Sequence, residues 1–134
     1  MKLLLDTNVY SALFRGHEDV VSRVRRADQV FISAIVAGEL MFGFRNGSRF
    51  EANRRDLEDF LGMPYVELLP VTFVTADRYG LIFAALRRKG RPVPSNDIWI
   101  AAHAMESGAE LLSFDQHFEE IDGLALAKPI TATQ

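Results

Sequence analysis

Short apolar runs alternate with longer amphipathic stretches along the chain. Lys2 to Leu5 carries three consecutive leucines and stops at the turn-prone Asp6-Thr7-Asn8, the pattern of a buried strand. Val30 to Ile32, Val66 to Leu69, Glu110 to Leu112 and Leu124 to Leu126 are further strand segments. Between them the apolar spacing turns helical. Helices are expected over Val9 to Arg15, over His17 to Ala27 with Val20, Val21 and Val24 on one face, from an N-cap at Ser33 through Phe44, and over the half-charged Phe50 to Leu61. Thr75 to Lys89 is the best-marked helix, with Asp77 in its first turn, Arg87, Arg88 and Lys89 in its last, and Gly90 and Pro92 beyond. Asp97 to Ser107, closed by Gly108, and a short helix around His117 to Ile121 complete the set.

Strands that alternate with helices argue for a parallel sheet covered on both faces, a three-layer α/β/α architecture. The one Asn-Gly pair, Asn46-Gly47, follows a helical pattern and marks no hairpin. With 134 residues and no repeat, low-complexity tract or linker, residues 1–134 are expected to form one domain.

Composition changes the picture in two places. Hydrophobic residues make up 49% and charged residues 25%, as in an ordinary soluble globular protein, but the net charge is -3. Taken as a total, that sign argues against a nucleic-acid partner; it misleads if the acids concentrate in one pocket while the basic residues lie elsewhere. Among 15 basic residues only Lys2, Lys89 and Lys128 are lysines, and arginine suits bidentate contact with phosphate. The absence of cysteine excludes a disulfide framework and a thiolate zinc site. Three leucines before Asp6 fall far short of a signal-peptide core, and no apolar stretch approaches the roughly 20 residues that span a bilayer, so a cytoplasmic protein without a membrane partner is expected.

The candidate chemistry lies at the strand ends. Asp6 follows the first apolar run, Glu39 sits on the helix after the second, Asp97 opens the apolar segment Ile98 to Met105, and Asp115 follows Leu111-Leu112. Each has a structural explanation alone: Asp6 and Asp115 as turn or cap residues, Asp97 as a complement to a helix N-terminus. Glu39 is harder to explain, because it lies among Ile35, Val36, Leu40 and Met41 on an almost wholly apolar helix. If the runs are parallel strands, their carboxyl ends gather these acids in the crevice where open α/β sheets bind ligands. Such a cluster is tolerable only with a cation among the acids or protons on some of them. Hard oxygen donors favour Mg²⁺ or Mn²⁺, ions suited to activating water against a phosphodiester.

Other chemistries find no support. There is no GxxxxGK phosphate loop and no Gly-x-Ser-x-Gly elbow. His17, His103 and His117 have no metal-ligand spacing, and His103 on an apolar helix reads as a packing residue. Trp99 and the 10 phenylalanines read mainly as core, with Phe42 and Phe44 placed to line an opening.

Four segments, Leu-Leu-Asp-Thr-Asn-Val at Leu4 to Val9, Ser-Ala-Ile-Val-Ala-Gly-Glu-Leu at Ser33 to Leu40, Asn-Asp-Ile-Trp-Ile-Ala-Ala-His-Ala at Asn96 to Ala104 and Ser-Phe-Asp-Gln-His-Phe-Glu-Glu-Ile-Asp-Gly-Leu at Ser113 to Leu124, resemble the PIN domain, and more narrowly the VapC-type toxins of bacterial toxin-antitoxin pairs. The resemblance implies a Mg²⁺- or Mn²⁺-dependent endoribonuclease with Asp6, Glu39, Asp97 and Asp115 at the acidic positions and Thr7, Asn8 and Ser113 at supporting polar positions. It also implies a homodimer and a small antitoxin partner. Two departures stand out: bulky Phe114 inside the fourth motif, and Lys128-Pro129-Ile130 where the family has a tryptophan. Arg45, Arg49, Arg87, Arg88 and Arg91 are the candidate RNA contacts. The competing expectations are a non-catalytic PIN-like module that binds RNA or protein, and a metal-dependent DNase.

Overall fold

The computed structural model describes residues 1–130; residues 131–134 of the expected domain lie outside them. Five strands, β1 (Lys2–Leu5), β2 (Gln29–Ser33), β3 (Val66–Leu69), β4 (Glu110–Leu112) and β5 (Leu126–Ala127), form one sheet in the order β3-β2-β1-β4-β5. Every pairing is parallel. Leu3, Leu4 and Leu5 are each 0% exposed. Successive strand residues point to opposite faces, so an unbroken buried run means that both faces are covered. Six helices do the covering: α1 (Thr7–Phe14), α2 (Glu18–Arg26), α3 (Ala34–Arg45), α4 (Phe50–Leu61), α5 (Phe73–Lys89) and α6 (Ser95–Ser107). The expected α/β/α architecture is the one observed.

Strand order fixes where a ligand belongs. The chain steps outward from β1 through β2 to β3, then returns to the other side of β1 for β4 and β5. The direction of winding therefore switches between β1 and β4, and the crevice beyond their carboxyl ends is the binding position of an open parallel sheet. Asp6 follows β1 there, and Ser113 follows β4; the Asp6 N–H donates to Leu112 O at 3.1 Å, holding the two strand exits side by side.

Several element ends differ from expectation, each for a local reason. Helix α1 begins at Thr7 rather than Val9 because Asp6 caps it, its Oδ1 accepting from the Thr7 N–H at 2.9 Å. Helix α5 begins at Phe73, so Asp77 lies beyond the first turn and does not complement the helix terminus. That end is fastened by Thr75, whose Oγ1 accepts from the Thr72 N–H at 3.1 Å and donates to Glu106 at 2.7 Å. The short helix near His117 is a 3-10 helix, Gln116–Glu120. The last strand is Leu126–Ala127 rather than Leu124 to Leu126, since the turn at Gly123, with φ of 81°, takes up the preceding residues.

His103, on buried α6, ties three elements together. Its Nε2 lies 3.0 Å from Pro70 O, which can only accept, so Nε2 carries the proton. Nδ1 then accepts from the Ser33 hydroxyl at 2.8 Å, while Ser33 Oγ accepts from the Ile35 N–H at 3.0 Å as the cap of α3. This is the packing role expected of His103.

Candidate functional site

Each of the four acids is delivered by a different element. Asp6 ends β1 and caps α1; it is buried, and its second oxygen accepts from Ser113 Oγ at 2.7 Å. Ser113 Oγ in turn accepts from the Asp115 N–H at 2.9 Å, so one hydroxyl sets the spacing between the two aspartates. Glu39 points from α3 toward the same crevice, where Oε1 accepts from Thr7 Oγ1 at 2.5 Å and Oε2 from Asn96 Nδ2 at 3.1 Å. Thr7 adjoins Asp6 and Asn96 adjoins Asp97, so Glu39 is held by neighbours of two other acids. Asp97 lies in the first turn of α6 and is partly buried. Asp115 caps the 3-10 helix, its Oδ1 accepting from the His117 N–H at 2.8 Å.

The acids feel one another. Burial raises Asp6 above the usual carboxylate range, bonds from Ser113 and the Thr7 N–H oppose it, and the charges of Glu39 and Asp115 push the same way as burial. Asp97 is pushed up to about 6, first by burial and then by the charges of Asp6 and Asp115, with His117 opposing. A shared cation would relieve this repulsion. Asp6, Asp97 and Asp115 at strand and helix ends, with Glu39 midway along α3, offer hard oxygens, the chemistry that suits Mg²⁺ or Mn²⁺.

The structure thus brings Asp6, Glu39, Asp97 and Asp115 together, with Thr7 and Ser113 bonded to the acids. Asn8 is exposed in the first turn of α1. Two participants escaped the sequence reading. Asn96 anchors Glu39 from across the crevice, a role its place beside Asp97 in the third motif could have suggested. His117 is the larger correction: its Nδ1 lies 3.1 Å from Asp115 Oδ1 and 3.5 Å from Asp97 Oδ2, although histidine spacing gave no sign of a ligand. The donor atoms of Asp97, Asp115 and His117 lie within 4.8 Å of one another.

Beside the acids runs an open cleft of about 560 Å³ lined by Ala34, Ile35, Gly38, Glu39, Phe42 and Asn96. Phe42 is 72% exposed at its edge, as expected of a residue lining an opening, whereas Phe44 packs partly buried against the core. The arginines divide. Arg45 stacks over the Phe50 ring at 4.1 Å, Arg49 is exposed before α4, and Arg91 faces Glu120 at 3.8 Å. Arg87 and Arg88 are exposed at the end of α5. Lys89 is engaged with Glu120 O at 2.6 Å and Asp122 at 3.2 Å.

The sequence profile of the PIN domain matches residues 3–124. The chain belongs to the PIN-domain family. Within that family it is similar to Ribonuclease VapC2 of Haemophilus influenzae, 32% identical over 127 residues that cover 92% of this chain and 95% of that protein. It is also similar to the tRNA(fMet)-specific endonuclease VapC of Shigella flexneri, 29% identical over 92% of this chain and 95% of that one. Among solved structures, this PIN domain superposes on a chain of DNA-bound VapBC from Salmonella typhimurium with a TM-score of 0.84 at 30% identity, covering 96% and 98% of the two chains. No helix among the described residues is long and apolar enough to cross a membrane.

Proposed function

We propose that this PIN domain is a divalent-metal-dependent endoribonuclease and the toxin of a toxin-antitoxin pair. The observation that carries the reading is the convergence of four acids from four elements at the switch point between β1 and β4, in a chain whose relatives are VapC ribonucleases. Asp6 and Asp97 are assigned as principal ligands of Mg²⁺ or Mn²⁺, Asp115 as a further ligand and Glu39 as a ligand or as the group that orients water. When bound, the cation supplies charge neutralisation for the phosphodiester and a more acidic water.

The side chains around it have separable tasks. Ser113 and the Thr7 N–H hold the Asp6 carboxylate in one orientation, each bonded to a different oxygen whose remaining lone pairs are left for a cation. Thr7 and Asn96 fix Glu39 through both oxygens, leaving its remaining lone pairs to receive a proton or direct a water. RNA enters along the cleft beside Glu39, where exposed Phe42 offers a ring for a base to stack on, and the exposed arginines outside the cleft offer phosphate contacts. The antitoxin partner is carried over from the relatives, of which the Salmonella typhimurium chain was solved as VapBC, and the homodimer is what the family resemblance leads one to expect. The expected compartment is the cytoplasm.

The test is cleavage of structured RNA and of single-stranded DNA by purified protein in Mg²⁺, in Mn²⁺ and in chelator, with analysis of the product ends. The reading expects RNA to be cut only with metal, leaving a 5′-phosphate and a 3′-hydroxyl. Cleavage confined to DNA would move the chain to another nuclease class, and metal-independent cleavage leaving a cyclic phosphate would remove the metal assignment.

A further inference from the structure

Asp115 caps the 3-10 helix through its own side chain, and that cap folds the chain so that the ring two residues later turns back over the carboxylate that made it. His117 Nδ1 consequently stands 3.1 Å from Asp115 Oδ1 and 3.5 Å from Asp97 Oδ2. Adjacent donors on an octahedral ion with ligand distances near 2.1 Å are separated by roughly 3 Å, and opposite donors by roughly 4.2 Å. The two His117 distances lie close to the adjacent-donor spacing, and the three donor atoms, all within 4.8 Å of one another, are gathered closely enough for small side-chain rotations to bring them onto one ion.

Nothing in the core demands this ring. The His117 side chain is 56% exposed, in contrast to His103, which is buried with both nitrogens bonded. It can therefore turn from hydrogen bonding with a carboxylate to coordinating a cation without disturbing the packing. An imidazole nitrogen also differs in kind from the carboxylates beside it, because it is a softer donor that suits first-row transition ions and adds little for Mg²⁺.

We propose that His117 supplies a nitrogen ligand to the cation held by Asp97 and Asp115, and that it biases this centre toward Mn²⁺ over Mg²⁺. The inference rests on the metal-dependent reading above and adds to it a fifth residue and a metal preference.

The test reads binding directly, without activity. Mn²⁺ is titrated into wild-type protein, His117→Ala and Asp97→Asn while free Mn²⁺ is followed by electron paramagnetic resonance; Mg²⁺ competition is measured in parallel, and the bound ion is probed for nitrogen hyperfine modulation. Wild type is expected to show that modulation and His117→Ala to lack it, with Mn²⁺ affinity falling about tenfold and Mg²⁺ affinity changing less than about twofold. Bound Mn²⁺ without nitrogen modulation in wild type, or an unchanged Mn²⁺ to Mg²⁺ ratio in His117→Ala, overturns the His117 assignment and leaves the acidic site standing. Wild type that binds no Mn²⁺, or Asp97→Asn that binds it as tightly as wild type, overturns the metal reading and this inference together. Because the ring is exposed, His117→Ala is expected to keep the wild-type circular dichroism spectrum.

Discussion

Asp97 shows what it means for a carboxylate to be placed for a cation rather than for the fold. Burial and the charges of Asp6 and Asp115 hold it up to about 6, above the ordinary aspartate value. A folded-state pKa raised above the unfolded one gives a stability contribution that is present below the unfolded value and lost as pH rises through about 6. At neutral pH the metal-free protein therefore carries an ionised Asp97 at a penalty. Asp97→Asn is expected to stabilise the metal-free protein by on the order of 2 kcal/mol at about pH 7, and to do little at about pH 4. Urea unfolding in chelator at the two pH values measures it; a variant less stable than wild type at neutral pH, or a gain of equal size at both, contradicts the electrostatic account. At Asp6 and Asp115 the structural and functional explanations hold at once. Both residues cap helices, and a carboxylate that caps through one oxygen still offers lone pairs to a cation.

At the scale of elements, Ser33 decides how the Glu39 helix meets the Asp97 helix. One buried hydroxyl caps α3 and donates to His103 on α6, which is in turn bonded to the chain leaving β3. Ser33→Ala removes a cap and leaves the His103 Nδ1 without its donor, an expected loss of about 2 to 4 kcal/mol in chemical denaturation. A change below about 0.5 kcal/mol would show that the bridge does not hold the helices. Much of this layer was legible beforehand. Lys2–Leu5, Val66–Leu69, Glu110–Leu112 and Phe50–Leu61 were found where expected: the central strand β1 reads as an unbroken apolar run because both its faces are covered, the edge strand β3 was marked by Pro64 and Pro70 on either side of it, and an amphipathic helix has a visible period. Helix starts were less legible. Asp6, Thr72 and Pro94 look like turn residues yet sit at helix caps, so α1, α5 and α6 each begin two residues earlier than their apolar pattern does. The four acids and the Ser113 hydroxyl were readable from their places after apolar runs and in four motifs. His117 was not, because an aspartate and a histidine two residues apart have no ligand spacing until a cap folds one onto the other.

For the whole molecule, a net charge of -3 conceals a division of labour. Acids gather in the crevice, while Arg87 and Arg88 stand exposed and, among the described residues, in no ion pair at the end of α5. If they meet phosphate, replacing either by alanine should weaken RNA binding alike for all sequences and flatten the salt dependence by about one unit per lost contact. Binding titrations across a range of salt decide it, and an unaltered slope removes them from the interface. The central claim, however, concerns the crevice. Asparagine in place of Asp6 keeps one oxygen to cap α1 and turns its amide N–H₂ to donate to Ser113 Oγ, but it lacks the charge, so Asp6→Asn separates cation binding from folding. The most direct measurement is the rate of RNA cleavage by wild type and Asp6→Asn in Mn²⁺ or Mg²⁺ and in excess chelator, alongside circular dichroism. A fall of about a hundredfold or more both in the variant and under chelation, with the fold intact, is the result expected. A wild-type rate in Asp6→Asn, or in wild type stripped of metal, would contradict it.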